Sequence, residues 1–236
     1  GFQLEPIIYL VVWSTVAVAR GGEVGGYSPG DFVAYYIVLM FVNQFTFTWI
    51  MYEFEWRIRS GYLSPLLLKP IHPIHQDIAD NIAYKFFMSV ILFPTIIVLA
   101  LLFDPTFNFS LWNVVLFFPA LIIAFFMRFF VEWSLAIAAF WTTRTSAINQ
   151  MYFVLGLFFS GRIAPLSLLP GWVQIIADIL PFRWGVAFPV ELLLGHLGPE
   201  QIQNGFIAQL CWLVLSLIIL GTTWRVGLRR YSAVGA

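Results

Sequence analysis

Charge is what this sequence has least of. Only 10% of its 236 residues are Asp, Glu, Lys or Arg, and 61% are hydrophobic, whereas a soluble domain carries about 25% charged residues. With a mean hydropathy of +0.87, the chain belongs to the polytopic membrane class. Its formal net charge is zero, so nothing points to nucleic acid or to an acidic partner. Cysteine is all but missing. Cys211 stands alone in an apolar run, can form no internal disulfide, and reads as a packing residue. Lysine occurs only as Lys69, followed by proline, and Lys85, followed by phenylalanine. That excludes a GxxxxGK[ST] phosphate loop. HExxH is also missing, there is no convincing Gly-x-Ser-x-Gly elbow, and nothing nominates a catalytic group. His72-Pro-Ile-His75 has no carboxylate or thiol partners at ligand spacing, so it reads as loop surface and no metal site is expected. The charged n-region and small-residue cleavage site of a signal peptide are not evident. The chain opens at Gly1 and is near-apolar by Pro6, which suggests that a further N-terminal piece precedes it.

What is abundant is apolar runs of about 20 residues, the length that crosses a bilayer as a helix. The expected fold is all-α with six transmembrane helices, over about 4–19, 31–52, 77–103, 111–140, 146–159 and 201–224, in a single domain. Asp31 reads as an N-cap. Asp77 and Asp80 read as first-turn acids against the helix dipole, with Lys85 snorkelling back. Between the fifth and sixth runs, 160–200 is broken by Gly161, Pro165, Pro170, Pro181, Pro189 and Gly195, which predicts short helices. Trp172, Ile175, Ile176 and Ile179 form one apolar stripe in this segment, suited to a membrane interface. Arg183-Trp184 reads as an interfacial anchor.

The interval 53–76 is the long polar break. Pro65, Pro70 and Pro73 forbid a continuous helix through it. Ser64-Pro65 reads as a cap with proline at the first helical position, and Lys69-Pro70 as a stop, leaving about one turn. Leu63, Leu66 and Leu67 share one face of that turn. Two readings stay open: a greasy knob that docks into a soluble partner, and an ordinary loop clipped to lipid headgroups.

This interval resembles the first cytoplasmic loop of ABC-2 type transporter permeases. It has a run of charges, then Gly61-Tyr62-Leu63, Leu66-Leu67-Leu68 and Pro70, where many relatives read Thr at the position of Tyr62. Ser160-Gly161, Pro165-Leu166, Pro170-Gly171-Trp172, Pro181-Phe182 and Pro189 are similar to the last extracellular segment of the small subfamily whose permeases are usually encoded in pairs. The resemblance implies an ABC-2 exporter fold with a short cytoplasmic coupling helix and extracellular re-entrant or interfacial helices before the last span. It further implies that Tyr62, Leu63, Leu66, Leu67 and Lys69 contact ABC ATPase subunits. A second permease chain, identical or different, would complete the assembly in a bacterial plasma (inner) membrane. ATP and Mg would then bind in the partner, with no cofactor on this chain, and the cargo would be lipidic, amphipathic or drug-like. Two rivals remain: a non-transporting scaffold or assembly factor, and an ion-coupled secondary transporter, which is weakened by the lack of visible inverted repeats.

Basic residues set the orientation. Arg57, Arg59 and Lys69 in the central loop, Arg144 in the next loop on that side, and Arg225, Arg229 and Arg230 in the tail make seven, against Arg20, Arg162 and Arg183 opposite. The central loop and both termini are therefore expected to be cytoplasmic. Inside the membrane, Arg128 and Glu132 are spaced i, i+4 and can neutralise one another, either as a structural ion pair or as an element of a translocation route. Asn43, Gln44, Thr46, Thr48, Asn149 and Gln150 either join helices by hydrogen bonds or line a passage.

Overall fold

A computed structural model describes residues 4–142 and 145–229, so Arg144 and Arg230 of the charge count lie outside the described residues. Among these the chain forms α1 Leu4–Ala19, α2 Pro29–Thr46, α3 Ile50–Arg59, α4 Leu63–Leu67, α5 Pro73–Phe103, α6 Leu111–Ala136, α7 Ser146–Phe159, α8 Gly171–Ile179, α9 Pro181–Gly185, α10 Ala187–Leu193 and α11 Pro199–Leu228, with no strand. Helices thus stand over all six apolar runs. Four stretches, Pro29–Arg59, Pro73–Phe103, Leu111–Phe140 and Pro199–Leu228, are long and apolar enough to cross a membrane. At 1.5 Å per residue, α1 and α7 reach only about 24 and 21 Å, against a hydrocarbon core of about 30 Å.

α2 is the axis of the molecule. Every residue from Phe32 to Met40 is buried, the signature of a helix enclosed on all sides, and α1, α5, α6 and α10 pack around it. Its N-cap is Ser28, not Asp31. The Asp31 amide donates to Ser28 Oγ at 3.2 Å while Asp31 Oδ2 accepts from the Ser28 amide at 2.9 Å, and Pro29 holds the first helical position. That reciprocal box satisfies two otherwise orphaned donors. α6 forms the second support, packed against α11, α10, α3 and α2. Large apolar side chains on the outer face of α5, such as Phe86, Phe87 and Val90, remain exposed, as a lipid-facing helix requires.

Several expectations differ from the structure. The second run is not one helix, because it stops at Thr46 and resumes at Ile50. The third helix starts at Pro73, capped by His72 Nδ1, which accepts from the Ile74 amide at 3.2 Å. His72 is therefore a half-buried cap and not loop surface. Burial, and then the charge of His75, push its imidazole below the usual range. Because the helix begins earlier, Asp77 falls beyond the first turn. It is buried in an ion pair with Arg57 at 2.5 Å and accepts from Trp133 Nε1 at 2.9 Å. Lys85 does not snorkel outward. It is buried, its Nζ donating to the Phe47 carbonyl at 2.7 Å and lying 4.7 Å above the Phe125 ring.

The segment 160–200 does break into short helices, and α10 among them is buried from Ala187 to Leu192 against α6 and α2. The Trp172, Ile175, Ile176 and Ile179 stripe of α8 is exposed. Side chains from α1 and α2 clamp the turn that follows α7. Tyr35 Oη donates to the Gly161 carbonyl at 2.9 Å, and Tyr36 Oη and Trp13 Nε1 both donate to the Ile163 carbonyl at 2.7 Å. Gly161 has φ +81°, and a Cβ there would strike the Tyr35 hydroxyl. Gly161→Ala should therefore lower stability by about 1–3 kcal/mol, read as a drop in the thermal unfolding midpoint in detergent. An unchanged midpoint would show that the turn relaxes freely.

Candidate translocation cleft and docking turn

The break between α2 and α3 is where the buried charges gather. Thr46 Oγ1 donates back to the Val42 carbonyl at 2.8 Å, a competing bond that loosens a helix. The non-helical stretch that follows is held from two sides, with Lys85 of α5 on the Phe47 carbonyl and the Thr48 hydroxyl donating to Glu132 Oε2 of α6. Arg128 Nη2 pairs with Glu132 Oε1 at 3.5 Å. Arg128 Nη1 donates to Thr46 Oγ1 at 2.8 Å and reaches Asn43 Oδ1 at 3.5 Å. Tyr152 of α7 donates to Glu132 Oε1 at 3.3 Å. Freed backbone groups and lone charges are each costly in hydrocarbon, and here Lys85 bonds a freed backbone carbonyl while Arg128 and Glu132 pair with one another.

A narrow cleft opens beside this cluster. Arg128 and Glu132 of α6 line it together with Thr48 at the break and Met51 and Tyr52 of α3. α7 contributes Asn149, Tyr152, Phe153 and Gly156, a single helical face at i, i+3, i+4 and i+7. Ser160 and Arg162 close one end, and Pro181 and Phe182 of α9 form part of the wall.

The six polar residues expected in a passage therefore divide. Thr48 and Asn149 line the cleft, while Asn43 and Thr46 sit behind it as partners of Arg128. Gln44 is half-buried and is not part of the lining, and Gln150 is exposed on the opposite side of α7.

The turn α4 also differs from expectation. It starts at Leu63 with Tyr62 as N-cap, so Ser64 lies inside the helix instead of at its cap position. Its leucine face is not offered to a partner. Leu63 and Leu66 are buried, Leu63 in a cluster with Ile50, Met51, Phe54, Phe129, Trp133 and Leu220, against which Leu67 packs. Exposed instead are Tyr62 at 47%, Leu68 at 87% and Ile71 at 62%, with Trp56 5.6 Å from the Tyr62 ring. Pro65 and Lys69 are exposed beside them. The exposed rim is apolar with a basic edge, and its base is keyed to α3 and α6.

A family profile described as an ABC-2 family transporter protein matches residues 4–235. The chain belongs to this family. It is an ABC-2 type permease, the membrane component of an ABC transporter, and such permeases generally work with ABC ATPase partners. No curated protein and no solved structure matches the chain.

Several residues of the permease cleft lacked a signal in the sequence. Tyr152, Ser160 and Arg162 lie in ordinary-looking surroundings, and only the stagger of α7 brings the first two onto the face of Asn149. Lys85 offered one clue, as a lone lysine twelve residues into a helix that begins at Pro73. A residue so deep requires a buried partner.

Proposed function

We propose that the permease is the membrane subunit of an ATP-driven exporter, with six spans, a cytoplasmic central loop and cytoplasmic termini, in a bacterial plasma membrane. Two such chains, identical or paired with a second permease, work with two ATPase subunits that hold ATP and Mg. The observation that carries this reading is the mechanical layout of the docking turn. Its exposed rim (Tyr62, Pro65, Leu68, Lys69, Ile71) is free for a partner, while its buried Leu63 joins the cluster that contains α3. α3 in turn carries Met51 and Tyr52 of the cleft wall and is joined to α2 by the non-helical Phe47–Trp49. A push on the rim moves α3 as a lever about that break, so the cleft alternates between open and closed states. The family match favours this function over a scaffold. Ion-driven transport has no observation of its own in its favour.

Co-purification tests the partnership directly. The permease, extracted from its native membrane, should elute as one complex with an ABC ATPase that hydrolyses ATP, and a permease that fluxes cargo on an ion gradient without any ATPase would overturn the reading. Orientation has a separate test. Single cysteines at Lys69 and Ser167, in a Cys211→Ala background because Cys211 is exposed, should react with a membrane-impermeant thiol reagent in intact cells only at position 167. The reverse pattern would invert the topology and remove the docking proposal with it.

A further inference from the structure

One end of the cleft carries polar groups that the permease leaves unsatisfied. Ser160 is 2% exposed and Arg162 5%, both line the cleft, and among the described residues Ser160 Oγ and Arg162 Nε have no hydrogen-bond partner. Glu5 Oε2 engages Arg162 Nη2 at 2.8 Å while Glu5 Oε1 is itself without a partner among the described residues, so a carboxylate already holds part of the guanidinium and the Nε N–H alone is left for a further acceptor. The Arg162 guanidinium also lies 5.3 Å over the Phe153 ring, which fixes its plane against the cleft wall. Leaving a buried donor unmade costs about 1–3 kcal/mol, more for a charged group, so two such donors at neighbouring positions mark a place where something else binds.

Asn149 gives a third unsatisfied atom, toward the other end. Its Nδ2 donates to Thr145 Oγ1 at 3.4 Å, and that hydroxyl donates to Glu55 at 2.5 Å, so the amide oxygen is the atom left without a partner. Between the two ends an apolar wall built by Phe47, Met51, Val131, Phe153, Phe182 and Val186 runs alongside the Arg128–Glu132 pair, Thr48 and Tyr152. A guanidinium N–H beside a hydroxyl matches two oxygens of a phosphate or carboxylate. An apolar trough running away from them matches a hydrocarbon or aromatic body.

We propose that the cleft takes an amphiphile whose head group carries an anionic phosphate or carboxylate oxygen, held by Ser160 and Arg162, with its apolar body along Phe153, Phe182 and Met51. This deepens the transport reading and rests on it for the ligand's role, but the binding site can be tested on the permease alone.

The test measures binding to the full chain in phosphatidylcholine nanodiscs, with empty discs subtracted. The probes are n-dodecyl phosphate, n-dodecyl maltoside as the neutral head on the same tail, and inorganic phosphate as the head without a tail. Dodecyl phosphate should bind about tenfold or more tightly than dodecyl maltoside, and inorganic phosphate much more weakly than either, because a charge-assisted hydrogen bond and tail burial each contribute at least that factor. Ser160→Ala should weaken dodecyl phosphate by about tenfold and leave the maltoside unchanged. Arg162→Gln, made with Glu5→Gln so that no carboxylate is stranded, should do the same. If that pair fails to fold, Gly156→Leu decides. Gly156 lines the cleft, and a Cβ there makes ordinary contact with Phe182 at 3.4 Å, so the added side chain fills the trough without touching the polar end and should block both detergents. Equal affinity for the two detergents would overturn the anionic head. Inorganic phosphate binding as tightly as dodecyl phosphate would overturn the amphiphile, and undiminished binding in Gly156→Leu would overturn the site. None of these outcomes affects ATPase co-purification, so the site and the transporter reading fail separately.

Discussion

Glu132→Leu should lose more folded permease than any other single change at the charged cluster. The carboxylate accepts from Thr48 and Tyr152 and pairs with Arg128 at 3.5 Å. Lys85 is bonded to the carbonyl of Phe47, the residue just before Thr48. Without the carboxylate, two cations stand in a membrane-depth cluster with no anion, and two hydroxyls lose their acceptor. A lone charge at the bilayer centre costs roughly 2.5–3.5 kcal/mol on insertion scales, and removing one partner of a buried pair costs about 3–5 kcal/mol. Arg128→Leu should be milder, because it leaves Glu132 with its two donors and with Lys85 nearby. The double change Arg128→Leu, Glu132→Leu should recover part of the loss, since only Lys85 then lacks an anion. Unfolding midpoints in mild detergent, together with the yield of monodisperse protein, measure all three. Additive damage would show that the two groups do not interact. A stable double variant also separates roles: if it transports, the pair only holds the α2–α3 break, and if it is inactive, the pair takes part in gating.

Helix positions were legible wherever chemistry is local. Long apolar runs mark the intervals of α1, α5, α6, α7 and α11 to within a few residues, and the i, i+4 spacing alone puts Arg128 and Glu132 on one face. The α2–α3 break was not legible. Neither proline nor glycine marks Phe47–Trp49, and the groups that hold it open come from α5 and α6, 38 and 84 residues away in sequence. The cleft follows the same rule. Asn149 and Gln150 look equivalent in sequence, but adjacent residues on a helix point about 100° apart, so only Asn149 turns inward. For α4, the spacing of Leu63, Leu66 and Leu67 established a shared apolar face and nothing about what covers it. Periodicity gives the face of an element, and the packing of its neighbours decides whether that face meets a partner or the chain's own core.

That distinction separates two sets of substitutions at the docking turn, whose outcomes should differ completely. Leu66→Asp places a carboxylate at a position 3% exposed, where an unpaired charge is costly. It should reduce folded protein and so cannot report on docking. Leu68→Asp with Ile71→Asp changes two residues of the exposed rim and should leave the unfolding midpoint in place. Burying each of these side chains against a partner is worth about 1.5 kcal/mol or more. Losing both therefore removes about 3 kcal/mol, a weakening of the ATPase complex by more than a hundredfold. The comparison is made by pull-down of the ATPase on immobilised permease and by ATP-dependent transport in vesicles, both of which should collapse for the rim variant. Retained ATPase binding would place the contact elsewhere on the permease. Retained binding with lost transport would mean that the rim transmits the stroke without supplying the affinity, which moves the coupling step to the lever formed by α4 and α3.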